Sequence, residues 1–500
     1  MRYSIVVVFV CCIPFLAVAQ QIKDTTKNNV EKAVEEFLKD PDLKNIALTF
    51  HAVEVSTRKA VASYNAEMSI VPASCMKLIT TATALEILGG GYKFKTVIQY
   101  SGTLDTVKRV LNGDIFILGG GDPTLGSKYF AKDDPSAFLI DWARAIKAAG
   151  IDSITGNIIA DAEIYGWEMV PSTWAWGDLG NGYGAAPCGV SIYDNTCVLK
   201  FNTGSKAGDT ARIECVMPYV PDLEFSSDVY AGNTTDDNAY IFGAPYSYQR
   251  VVKGVLPKGK EAFEVKGTIP DPSYLAAFEL MHALLAEGIA VGGRPNTVRE
   301  MKMKGAFTSP VRTDIYTHYS PAVASIVNLT NTFSVNLFAE HLINQIGLIK
   351  YGNGTVGSGA AAMLEFWAKK GIDTKGLYIT DGSGLSRFDA VSASHFVQIL
   401  LWMTQSKSFS TFEKSLPVAG RSGTLSGFCK GTRAEGKVAA KSGTMTRVKA
   451  YSGYVTSKAG KRIAFGPHRA VAPKRNSKRS WSHWSIMCRN LLITFRLIFF

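Results

Sequence analysis

Ser74-Cys75-Met76-Lys77 pairs a hydroxyl with an amine three residues further on. On a helix, positions i and i+3 share a face, so Lys77 Nζ reaches Ser74 Oγ. An amine takes a proton from a hydroxyl only when its own pKa falls, and burial or a second nearby cation lowers it. The helix N-terminus adds partial positive charge that favours an alkoxide and a developing oxyanion. Taken alone the pattern is common, and its ordinary meaning is a capping serine with a surface lysine.

Two further clusters complete a chemistry. Ser334-Val335-Asn336 falls in a segment expected to be helical over 331–348. There Ser334 is placed to pass a proton between Lys77 and a leaving amine, and Asn336 to hold a substrate amide carbonyl. Lys441-Ser442-Gly443-Thr444 falls on an expected edge strand. Lys441 offers a cation for a substrate carboxylate and is expected to depress the pKa of Lys77. Ser442 hydrogen-bonds the same carboxylate. Gly443 lets a ligand approach the backbone, and the Thr444 N–H joins that of Ser74 as an oxyanion hole. Together these groups describe acyl transfer through a serine ester.

The elements that must carry these residues are legible in outline. Residues 46–54 and 60–64 alternate apolar and polar side chains around a turn, the pattern of an antiparallel hairpin. Pro72 precedes a helix over 74–88 that Gly89-Gly90-Gly91 ends. Further helices are expected at 136–149, 273–287 and 359–370, and a strand at 157–161. Residues 190–270 are dense in Thr, Val, Tyr, Gly and Pro, as in a β-rich subdomain. Strands at 438–442, 450–455 and 462–465 form a meander. Gly352 to Gly357 fits G-x-G-x-x-G but follows a helix, so it reads as a helix-to-helix loop and not as a dinucleotide site.

S-x-x-K, S-x-N and K-[ST]-G in this order mark β-lactamases and penicillin-binding proteins. The surroundings are more specific: Val71 to Leu78, Asn331 to Glu340, Asp381 to Arg387, Gly119 to Leu125, Trp174 to Pro187 and Gly267 to Ile269 resemble the S13 peptidases. These are the D-Ala-D-Ala carboxypeptidases and endopeptidases, or class C low-molecular-mass penicillin-binding proteins. The resemblance runs from about residue 25 to Phe465. The 260 residues between Ser74 and Ser334 look like the S13 pattern of domains inserted between the first two motifs. It implies an α/β (α+β) transpeptidase-like core, an antiparallel sheet with flanking helices, plus inserted β-rich domains. The core would take residues 20–92 and 310–465, and the insertion 93–309. Peptidoglycan stem peptides and β-lactams are the implied partners, and no cofactor is implied. Asp161 and Tyr165 resemble the position where the family meets the free amine of the stem peptide; a strand-end Asp in a turn is the equal alternative. In the family the strand begun at Arg462 pairs beside the N-terminal strand in mid-sheet. A catalytically dead or misfolded cell-wall-peptide-binding relative, on account of the altered C-terminus, and, less well supported, a β-lactamase are the other readings.

Composition bounds the rest. Arg2, an apolar run over 5–19 and Ala17-Val18-Ala19 read as a signal peptide over 1–19, so the protein is expected to be exported, periplasmic or extracytoplasmic, with no transmembrane span. Net charge is +12, but residues 461–500 hold nine Lys or Arg and no Asp or Glu, and taking nine from twelve leaves +3 for residues 1–460. A nearly neutral body does not bind nucleic acid. Neither the histidines nor the cysteines have metal-ligand spacing; Cys188 and Cys197 are a candidate disulfide. From 466 to 500 the chain turns basic and proline-bearing, then apolar, as a reading-frame change near codon 466 would leave it. A weak membrane-surface contact is the alternative meaning of that tail.

Overall fold

The computed structural model describes residues 29–39, 41, 46–131 and 133–466. Its catalytic sheet is assembled from both ends of that span. The strands are β1 (Phe50–Glu54), β2 (Ala60–Tyr64), β3 (Val438–Met445), β4 (Val448–Thr456) and β5 (Arg462–Gly466). They lie in the order β3-β4-β5-β1-β2, and every neighbouring pair is antiparallel. β3 is an edge strand, as expected. β5 sits in mid-sheet, with Phe465 opposite Gly453 on one side and Ala52 on the other. Four of its five residues are buried, because a central strand in a sheet covered on both faces has no wet side.

The helices beside the sheet are α1 (Met76–Ile87), α2 (Val323–Phe333), α3 (Asn336–Tyr351), α4 (Val356–Lys369) and α5 (Ala393–Met403); α5 packs directly on β5 and β1, and α2, α3 and α4 gather around α1. Every residue of α1 from Met76 to Leu85 is buried, so the helix has no polar face. Met76, Ile79 and Leu85 share one core with Phe338, Leu342 and Trp367. Its buried threonines stay satisfied locally: Thr81 donates to Lys77 O at 2.6 Å and Thr83 to Ile79 O at 2.7 Å. Thr80 donates instead to Gly382 O at 2.7 Å, tying α1 to the loop before α5.

The long insertion builds a second core. Its five-stranded sheet runs Pro295–Thr297, Ile158–Asp161, Ile115–Leu118, Lys95–Ser101, Arg312–Tyr319. The last strand, Arg312–Tyr319, pairs antiparallel with Lys95–Ser101. Residues 196–268 form two three-stranded sheets. Residues 352–355 are a helix-to-helix loop, and 356 and 357 already belong to α4: Gly352 caps α3 in the left-handed region and Thr355 caps α4 by accepting from Ser358 N. The expected continuous helix over 331–348 is broken, since α2 ends at Phe333 and α3 begins at Asn336. Cys188 and Cys197 are both free and buried, with Cys188 Sγ 3.1 Å from Ser273 Oγ. No helix among the described residues is long and apolar enough to cross a membrane. The expected signal peptide and the tail from 467 lie outside the described residues.

Candidate active site

Ser74 sits in a single 3-10 turn, Ala73–Cys75, that runs into α1. The turn is tight: Ala73 has φ +46°, a region that costs a residue with a Cβ roughly 1–2 kcal/mol. It is held from two sides by glycines. A Cβ on Gly384 would lie 1.9 Å from Ala73 O, and one on Gly443 would lie 2.8 Å from Pro72 O and 3.0 Å from Ser74 N. The bare Cα of Gly443 lets β3 press against the turn that carries the serine.

Lys77 has no exposed surface. Its Nζ lies 3.1 Å from Ser74 Oγ, 2.6 Å from Asn336 Oδ1 and 2.7 Å from Ser383 O. An ammonium satisfies all three by donating. A neutral amine donates two hydrogens to the amide and carbonyl oxygens and turns its lone pair to the serine hydroxyl. Both protonation states therefore fit the same geometry. Burial lowers the Lys77 pKa to about 8, against the charges of Asp381 and Glu340 that hold it up.

Ser334 occupies the break between α2 and α3 with φ +62° and ψ +38°. In an unbroken helix it would be one more residue of the helix surface; at the break its Oγ accepts from Lys441 Nζ at 2.9 Å. Lys441, fully buried, also donates to Ser442 O at 2.7 Å. Its pKa falls to about 7, first through burial and then through the charge of Lys77. Repulsion between two neighbouring cations is mutual, so each disfavours the charged form of the other and the two titrate as a pair. Ser442 Oγ donates to Thr424 Oγ1 at 2.9 Å, and Thr444 Oγ1 accepts from Lys449 at 2.7 Å.

Several supporting groups were not anticipated. Glu340, one turn beyond Asn336 on α3, accepts from Gly382 N at 3.0 Å and Ser383 N at 2.8 Å. It thereby aims the Ser383 carbonyl at Lys77. Burial and then Asp381 push its carboxyl up to about 8, against those two N–H groups and Lys77. Asp381 accepts from Gly384 N, Ser386 N and Trp174 Nε1. Asn336 Nδ2 donates to Tyr183 O at 2.8 Å, which anchors the inserted segment at the mouth. A carboxylate one turn beyond Asn336, on the buried stretch of the helix, was the local signal for Glu340.

The model of the D-Ala-D-Ala carboxypeptidase 3 (S13) family matches residues 30–478. The chain belongs to that family. It is accordingly a D-Ala-D-Ala carboxypeptidase, a hydrolase. The S13 match runs thirteen residues past Phe465, where the resemblance was expected to end. A D-alanyl-D-alanine carboxypeptidase of Actinomadura sp. (strain R39) is 29% identical over 451 residues, covering 86% of this chain and 79% of the relative. The D-alanyl-D-alanine carboxypeptidase DacB of Haemophilus influenzae is 22% identical over 439 residues, 85% of each chain. The crystal structure of penicillin binding protein 4 from Haemophilus influenzae superposes with a TM-score of 0.78 at 20% identity, over 93% of this chain and 99% of the other. The S13 fold, a transpeptidase-like core with inserted domains, is the fold of this chain.

Among S13-like positions Asp161 stands apart. It ends the strand Ile158–Asp161, and its Oδ2 accepts from Arg312 Nη1 at 2.7 Å. It lines a cavity of about 440 Å³ with Glu163, Lys302 and Arg312, and none of Ser74, Lys77, Ser334, Asn336 or Lys441 borders that cavity. Tyr165 is buried and donates to Gln345 Oε1 at 2.8 Å. Neither residue shares a hydrogen bond with the Ser74 cluster.

Proposed function

We propose that this chain is an exported serine peptidase that cleaves the terminal D-Ala-D-Ala bond of peptidoglycan stem peptides through an ester on Ser74. The observation that carries the reading is the triple coordination of Lys77 by Ser74, Asn336 and Ser383. Neutral Lys77 takes the Ser74 proton as Oγ adds to the carbonyl of the penultimate D-Ala. The N–H groups of Ser74 and Thr444 face the oxyanion. The C–N bond breaks as D-Ala leaves with a proton passed through Ser334, whose Oγ touches Lys441. Lys441 and Ser442 receive the terminal carboxylate. Water then cleaves the ester, returning the hydroxyl to Ser74 and a carboxylic acid to the shortened peptide. Cleavage of a cross-linked peptide needs the same steps with a larger leaving amine.

A β-lactam presents an amide and a carboxylate in the same relation, and the Haemophilus influenzae protein has been crystallised with one. Penicillin is therefore expected to acylate Ser74 here. The apolar run over 5–19 supports action outside the cytoplasm, where stem peptides are. Fluorescent penicillin tests the reading: wild type carries a covalent label, and Ser74→Ala carries none. Label on folded Ser74→Ala, or its absence from folded wild type, would overturn it.

A further inference from the structure

The strand Gln249–Pro257 pairs in parallel with Glu224–Gly232 and antiparallel with Asn238–Phe242. The inner face of this sheet, with Val229, Ile241, Val252 and Leu256, is part of the core of the insertion. The outer face shows three rows across the strands: Tyr230-Val255-Asn238, Asp228-Lys253-Tyr240 and Ser226-Val251-Phe242. A sheet face that meets water is ordinarily polar. Here Tyr230, Tyr240, Val251 and Val255 are 45%, 49%, 37% and 40% exposed. Single exposed apolar residues mean little, but four on adjoining rows form a patch.

That patch is tied to the catalytic mouth. The Asn181 side chain bonds Ile241 in both directions, donating to its O at 3.3 Å and accepting from its N at 2.9 Å. Two residues on, the Tyr183 carbonyl accepts from Asn336. The Tyr183 phenol donates to Asp178, which pairs with Arg387. Tyr240 lies close enough to Tyr183 to help raise its pKa. Aromatic surface thus continues from the mouth to the sheet.

We infer that the outer face of this sheet, with Tyr240 and Tyr230, binds the glycan strand from which the stem peptide hangs. The inference rests on the peptidase reading. A stem peptide of four residues extends about 13–14 Å, so the polymer beyond it must lie just outside the mouth. Across the three rows one Asp and one Lys cancel, which suits a neutral polymer and not a polyanion. Pyranose rings offer an apolar C–H face to stack on tyrosine and a rim of hydroxyls for Asn238, Ser226 and the phenols.

The test uses the full chain carrying Ser74→Ala, so that sacculi are not digested, with and without Tyr230→Ala and Tyr240→Ala. The probe is insoluble chitin, a neutral polymer of N-acetylated pyranoses that carries no peptide, beside intact sacculi. The parent is expected to pellet with chitin, and the double variant at least tenfold less. In the Ser74 background the same double variant should keep its penicillin acylation rate within twofold. Equal pelleting, binding to intact sacculi but not to chitin, or a parent dimer that the double variant converts to monomer would each overturn the glycan site. Penicillin labelling reports the peptidase reading separately. A labelled wild type with equal pelleting removes only the glycan site, and an unlabelled wild type removes the reading beneath it as well.

Discussion

The two lysines at the site predict a bell-shaped pH profile with a low peak. Acylation needs Lys77 neutral and, for a ligand with a carboxylate, Lys441 charged. The Lys77–Lys441 pair gives up its two protons near pH 7 and 8, burial being the first cause of both. Halfway between, at about pH 7.5, roughly 60% of the enzyme holds a single proton on the pair, and the competent form is its tautomer with Lys77 neutral and Lys441 charged. About 1.5 pH units to either side the singly protonated fraction falls roughly sevenfold, to about 9%. The second-order rate of Ser74 acylation by fluorescent penicillin, measured by stopped labelling from pH 5.5 to 9.5, reports these free-enzyme groups. A penicillin methyl ester has no carboxylate for Lys441, so its profile should keep the acid limb and lose the alkaline one. A flat profile for penicillin between pH 6 and 9, or an alkaline limb that survives in the ester, would refute the assignment.

Other outcomes follow from neighbouring contacts. Glu340→Gln sets an NH2 against one backbone N–H, and because the Glu340 carboxyl is itself pushed up to about 8 it removes little charge below that pH. The acid limb should therefore stay within about 0.5 pH unit of its place, with a stability loss of about 1–3 kcal/mol in urea unfolding, and a larger shift to lower pH would show that Glu340 is charged in the folded enzyme. Gly443→Ala drives a methyl into Pro72 O and Ser74 N, so the acylation rate of the folded variant should fall about a hundredfold; an unchanged rate would show that β3 does not brace the serine. His341 is buried between Gly121 O and Ser191 Oγ, and burial lowers its pKa to about 3. Its folded pKa is depressed, so below about 6.5 the unfolded chain binds a proton that the folded chain refuses, costing about 1.4 kcal/mol of stability per pH unit down to about 3. The stability gap between wild type and His341→Gln should therefore narrow by about 2 kcal/mol from pH 6.5 to 5.0, and a constant gap would exclude the mechanism.

The residues that meet around Lys77 were legible because the proposed chemistry needs particular residue types, and the core sheet because the N-terminal hairpin alternates and the C-terminal strands are short apolar runs between turns. The break at Ser334 was not. No glycine or proline marks it, and the apolar spacing of 331–348 suits one helix. Tertiary contact with Lys441 at the break overrides the local preference. The brace of Ser383 by Glu340, and of Ser74 by Gly443, joins residues far apart in sequence, and periodicity cannot see such pairs. Asp161 was singled out by resemblance to the S13 position that meets the stem-peptide amine; its partner Arg312 lies 151 residues away and was invisible from there.

The place of β5 in mid-sheet bears on when the enzyme can exist. The hairpin of β1 and β2 leaves the ribosome first, and its partner β5 follows nearly 400 residues later. At about 5–20 residues per second that interval is roughly 20–80 s. Throughout it one edge of β1 has no native neighbour and is open to pairing with other chains. A chain cut short before Gly466 holds Ser74 and Lys77 but lacks the strand that joins the two halves of their sheet. Partial chains are therefore clients for holding factors and proteases, and activity begins only when the last strand is delivered.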